Sequence, residues 1–100
     1  MRRLPTAMGW IDPDMSDSLE WDVAQVRRLA RRLGYQLIWR GDSPVRLVDQ
    51  VRAEEVDVVL VPAPYHLGVL EIDAVTHIAD IETACPRLSF SRWAVGSGGR

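Results

Sequence analysis

Apolar and polar positions fall into blocks along this chain, and the period of the pattern changes from one block to the next. Thr6 to Ile11 is a short apolar run with a glycine at its centre, as expected of a first strand. Asp12-Pro13-Asp14 ends it, because proline cannot donate to a strand ladder. Asp17 then reads as a helix N-cap, with Glu20 three residues on to complete a capping box. A helix is predicted from Ser18 to Leu33, stopping at Gly34, which suits a left-handed cap. On a wheel of roughly 100° per residue, Leu19, Val23, Val26, Ala30 and Leu33 form one narrow stripe, the spacing of a helix lying against a sheet.

The alternation continues. Gln36-Leu37-Ile38-Trp39 is a second strand, and Gly41-Asp42-Ser43-Pro44 a turn that opens a helix with Ser43 as N-cap and Pro44 at its first position. Leu47, Val48 and Val51 form the buried face of that helix. Val56 to Val61 is the clearest strand, and its run of β-branched residues predicts burial on both faces, as in a central parallel strand. Pro62-Ala63-Pro64 breaks it. A short third helix is predicted from Glu71 to about Ile78, and a fourth strand from Ile81 to Ala84, ended by Pro86. Leu88 to Val95 fits either a strand or a docked helical turn. Residues 1–95 read as one domain and 96–100, Gly-Ser-Gly-Gly-Arg, as a flexible tail.

Strands alternating with helices imply right-handed crossovers. The predicted fold class is therefore α/β: three layers, about four parallel strands in the order 2-1-3-4, and helices on both faces. One hundred residues with 47% apolar content suffice for one compact core. The net charge of −2 argues against a protein that coats nucleic acid through bulk charge. All 12 basic residues are arginine, which fits the codon usage of a G+C-rich genome. The single cysteine, Cys85, cannot form an internal disulfide, and no apolar run reaches the ~20 residues of a membrane span. A cytoplasmic location with no membrane partner is the expectation, since Arg2 and Arg3 precede no secretory apolar stretch.

Ligands of open parallel sheets bind beyond the carboxyl ends of the strands. There, Gly9-Trp10-Ile11-Asp12-Pro13-Asp14 and Val56-Asp57-Val58-Val59-Leu60-Val61, ending near Tyr65-His66-Leu67-Gly68, occupy the edge. With Gln25, the apolar stripe and Gly34-Tyr35, this layout resembles the catalytic domain of serine recombinases (resolvases and invertases) over roughly Met8 to Leu70. The resemblance implies a resolvase-like or flavodoxin-like fold. In that family an arginine and then the nucleophilic serine follow the first strand, and an Asp-Arg-Leu-Gly-Arg motif follows the third. Here Asp12 and Asp14 stand at the arginine and serine positions, and Tyr65, His66 and Val69 replace the aspartate and two arginines of the second motif. Gly41-Asp42, flanked by Arg40 and Arg46, occupies the region of a further family arginine, and the chain ends before the family's DNA-binding part. Strand transfer needs an oxygen nucleophile and cationic stabilisation of the scissile phosphate, which two carboxylates would repel. No catalytic residue and no cofactor is assigned.

Asp12, Asp14, Tyr65 and His66 are the candidates for contact with a ligand at the sheet edge. Asp12 and Asp14 resemble the acidic magnesium pocket of response-regulator receivers. However, the third strand ends without a phosphoacceptor aspartate, and the chain has no lysine. The same residues also read as a solvated Asp-Pro-Asp turn. His66, His77 and Cys85 lack metal-ligand spacing, so no metal site is assigned. The first helix carries the other candidates. Arg27, Arg28, Arg31 and Arg32 fill an arc opposite the apolar stripe, with Trp21 inside it. Arg27–Arg31 and Arg28–Arg32 are like-charge i,i+4 pairs, each unfavourable by ~0.2–0.5 kcal/mol. The arc is either a solvated polar face or a face for protein and phosphate contacts.

The expected function is a non-catalytic interaction or regulatory module, its partner a second copy or another protein. A metal-dependent phosphate-handling enzyme or ligand-binding domain using Asp12 and Asp14 is the alternative. Association with DNA through the arginines is the third reading, weakened by the acidic net charge.

Overall fold

The computed structural model describes residues 4–39 and 44–92. The strands β1 (Thr6–Gly9), β2 (Gln36–Trp39), β3 (Val58–Val61), β4 (Asp80–Thr83) and β5 (Leu88–Phe90) form one sheet in the order β2-β1-β3-β4-β5. The first four are parallel and β5 runs antiparallel to β4. The helices are α1 (Leu19–Leu33), α2 (Leu47–Glu54) and α3 (Val69–Thr76), with a 3₁₀ turn at Pro64–His66. The α/β class and the 2-1-3-4 order follow the sequence pattern. Of the segment Leu88 to Val95, which fits either a strand or a helical turn by its pattern, Leu88–Phe90 forms the fifth strand, and 93–95 lie outside the described residues. Only Ala84 to Arg87 separate β4 from β5, too few for a crossover, so the chain turns back as a hairpin.

Two cores lie on opposite faces of the sheet. Ala7, Val58 and Leu60 pack with Val26, Leu29 and Ala30 of α1. Met8, Val59, Val61 and Ile81 pack with Leu47 and Val51 of α2 and Val75 of α3. The alternation along β3 sends successive side chains into different cores, and all four of its residues are fully buried. Gly9 faces Trp39 in register on β2, and a Cβ added there would lie 2.6 Å from the indole ring. The central glycine of the first strand is therefore a site of close approach.

Helix boundaries differ from the sequence pattern in three places. Ser18, not Asp17, caps α1: its backbone is extended and its Oγ accepts the Trp21 N–H at 3.3 Å, which removes Glu20 from the capping-box position. Along α1, Leu29 joins the buried stripe while Leu19 is 57% exposed. The physical reason is length. A 15-residue helix is about 22 Å long and a four-residue strand about 13 Å, so the first turn overhangs the sheet. Helix α2 begins at Leu47 with Arg46 at the cap position, Pro44 lies outside it in a bend, and Ser43 falls outside the described residues, as do 93–100. Helix α3 begins two residues before Glu71 because that side chain reaches back to accept the Gly68 N–H at 3.2 Å.

Replacing Gly9 by Ala is expected to lower stability by about 1–3 kcal/mol through the clash with Trp39. The cost of Gly9→Ala should shrink to under about 1 kcal/mol in a Trp39→Ala background. Urea unfolding of the four proteins of this cycle checks it, and additive effects would show that the indole is not what excludes a side chain.

Candidate functional site

The strand order places a topological switch between β1 and β3. The connection after β1 leads by way of α1 to β2 on one side, and that after β3 leads by way of α3 to β4 on the other. The loops following β1 and β3 therefore part above these two strands, where open α/β sheets bind ligands. In this chain the two loops are joined there. The Trp10 indole N–H donates to the His66 carbonyl at 3.2 Å, and the Asp12 backbone N–H donates to His66 Nδ1 at 3.0 Å. His66 is 2% exposed. Its buried position follows from the 3₁₀ turn, which turns His66 inward and leaves Tyr65 stacked on its outer face, ring centroids 5.0 Å apart.

These contacts define the proton on the histidine. Nδ1 accepts a hydrogen bond, so the neutral ring carries its hydrogen on Nε2. Nε2 lies 3.8 Å from Asp22 Oδ2 in α1, outside hydrogen-bond reach, and has no hydrogen-bond partner among the described residues. Asp22 is held in place by Ser16, whose hydroxyl donates to Oδ2 at 2.6 Å. Burial lowers the His66 pKa from its ordinary value, and the carboxylates of Asp22 and then Asp12 oppose that shift. A nucleophilic triad requires the histidine to take a proton from the hydroxyl. Here the Ser16 hydroxyl is turned to the carboxylate, and the basic nitrogen of His66 is occupied by the backbone of Asp12. The geometry is that of a buried pin between loops.

The other candidates separate into distinct places. Asp12 Oδ1 accepts the Asp14 N–H at 3.0 Å, so the pair forms a side-chain-capped turn, with Asp14 exposed. Among the described residues no three of His, Cys, Asp and Glu gather as a metal would need. Trp21 is on the carboxyl-edge side of α1, where it lines a cleft of about 210 Å³ with Asp22, Gln25 and Tyr65. Arg28 and Arg32 face a small groove over Leu29 and Ala84 that Arg87 closes from the β4–β5 turn. Arg27 and Arg31 flank a second groove with Tyr35, Leu37 and Trp39, beside the edge strand β2. Arg87 is paired with Glu82 at 2.6 Å, and Arg28 donates to Gln25 at 3.2 Å. None of the four α1 arginines has a carboxylate within ion-pair distance among the described residues.

Sequence reasoning placed Asp12, Tyr65 and His66 at one edge but missed Trp10, Ser16 and Asp22. The available signal was Asp22 in the first turn of a helix that starts at this same edge. No helix among the described residues is long and apolar enough to cross a membrane.

The depressed His66 pKa has a consequence for folding. At pH values between the folded pKa and the unfolded value of about 6.5, the unfolded chain binds more protons at this residue. Its contribution to stability is therefore present above pH ~6.5 and lost as pH falls through the folded pKa. Protonation at Nδ1 also removes the acceptor for the Asp12 N–H. Urea unfolding is expected to show stability falling on acidification below pH ~6.5, by up to about 1.4 kcal/mol per pH unit for this one proton. His66→Gln should be less stable at pH 7.5 and show a shallower slope below pH ~6.5. An unchanged slope would assign the acid sensitivity to other groups.

No protein-family model, curated protein or solved structure matches this chain, and the reading of its function rests on the geometry above.

Proposed function

We propose that the chain is a non-catalytic interaction module on a scaffold of the serine-recombinase type, with the outer face of α1 as its contact surface. The observation that carries this reading is the set of four arginines on α1 that no carboxylate of the described residues neutralises. Helix α1 gains nothing of its own from Arg27 and Arg28. Their i,i+4 spacing to Arg31 and Arg32 is repulsive, and only those last two lie in the last turn, where the helix dipole favours cations. Arginine beside tryptophan and tyrosine is the composition of protein interfaces, and here Arg27 and Arg31 adjoin Tyr35 and Trp39.

Support for the scaffold comes from the strand order and from what stands at the sheet edge. Asp12 and His66, at positions where a recombinase carries arginine, are occupied in closing the turn and pinning the two loops together. Association with DNA is the second reading, favoured by Arg28, Arg32 and Arg87 around one groove. Arg28→Glu with Arg32→Glu separates the two. Loss of self-association or of a bound protein, with DNA binding no stronger than nonspecific, supports the protein-contact reading. Loss of a salt-dependent DNA affinity, by about tenfold or more at low salt, would replace it with the nucleic-acid reading. No change in either measurement would leave α1 with a merely solvated face and end the proposal.

A further inference from the structure

We propose that the partner of α1 is a second copy of this chain, packed antiparallel across a two-fold axis that passes beside Ala24. The inference rests on the interaction-module reading above and identifies what its surface binds. Helix α1 stands on its side of the sheet apart from α2 and α3, which pack on the opposite face. Its outer surface, Glu20, Trp21, Ala24, Arg27, Arg28 and Arg31, is exposed throughout. The charges on this surface are segregated: Glu20 in the first turn of the helix, and four arginines from position 27 onward. The helix dipole accounts for Glu20 and for Arg31 and Arg32, but it fades beyond the terminal turn and leaves Arg27 and Arg28 unexplained.

The spacing about Ala24 is self-complementary. Glu20 and Arg27 are seven residues apart, hence within ~20° on the wheel, and so are Trp21 and Arg28. Each of these pairs is centred within half a residue of position 24. In an antiparallel pair crossing at Ala24, Glu20 of one copy therefore lies on the same flank and at the same height as Arg27 of the second copy. Trp21 meets Arg28 in the same way. Every such contact occurs twice by symmetry, as in an isologous interface, so association closes at the dimer. Ala24 at the crossing point lets two helix axes approach to about 8 Å. The arrangement brings Glu20, which has no ion pair among the described residues, to guanidinium groups in the same state. It also covers an indole that is 60% exposed with a guanidinium, a cation–π arrangement.

One helix face buries little area, so the dimer should be weak and salt-sensitive. Sedimentation of the full chain from about 10 µM to 1 mM is expected to show a monomer–dimer equilibrium that weakens as salt rises from about 0.05 to 0.5 M. Glu20→Arg and Arg27→Glu should each weaken self-association about tenfold or more. An equimolar mixture of these two variants should restore association to within about twofold of wild type, because in the heterodimer each charge meets its opposite at both contacts. In a Cys85→Ser background, Ala24→Cys should form a disulfide-linked dimer on mild oxidation, while Glu54→Cys at the end of α2 should not. Circular dichroism establishes that each variant is folded. A chain that stays monomeric over this range, or a dimer indifferent to the charge reversals and unrescued by mixing, would overturn the inference. Should the chain be monomeric while Arg28→Glu with Arg32→Glu still abolishes capture of a different protein, only the identity of the partner fails. Indifference in both experiments would remove the interaction-module reading as well.

Discussion

Strand β3 is the element on which the rest of the structure depends. It is hydrogen-bonded on both edges, to β1 and to β4, and its four residues are fully buried. Val58 and Leu60 enter the core under α1, while Val59 and Val61 enter the core under α2 and α3. A strand with water on neither face and an unpaired edge on neither side must sit at the centre of a parallel sheet, and the crossover rule then places the helices on both faces. Both cores are therefore tied through one four-residue segment.

The shortness of the strands shapes the functional edge. A helix nearly twice their length extends past the carboxyl ends, and its first turn brings Asp22 and Trp21 level with the loops that leave β1 and β3. The same overhang leaves room for the 3₁₀ turn to fold His66 inward beneath Tyr65. Where a ligand site would open between the loops, a neutral buried imidazole joins them instead. That junction ties local stability to the protonation of a single ring.

Charge on this protein is more informative in its placement than in its sum. The small negative net charge conceals a helix with acids at one end and arginines along the other half. Such a helix is mildly self-repelling in isolation and self-complementary when two are laid antiparallel, which is why the proposed partner is a second copy. The grooves on either side of α1 add aromatic and aliphatic surface to the arginines, the combination that contributes most at interfaces.

Much of the fold was legible in local pattern. The β-branched run at 56–61, the helical stripe on α1, the Gly34 cap with its positive φ of 80° and the strand at 36–39 are written in spacing and residue type. These features act over a turn or a strand, so neighbours along the chain suffice to specify them. The edge candidates Asp12, Tyr65 and His66 were legible for the same reason, as residues following strand ends. The contact of His66 with Asp12, 54 positions away, was not, nor was the approach of Asp22 to the same ring. Likewise the choice of Ser18 over Asp17 as cap depended on where the chain enters from the loop. The antiparallel fifth strand depended on a hairpin closed by Thr83, whose Oγ1 accepts the Leu88 N–H at 3.0 Å. The tautomer and depressed pKa of His66 arise from burial and from partners supplied by another loop and another helix. Periodicity carries no information about such encounters, because they exist only once the sheet has brought its carboxyl ends together.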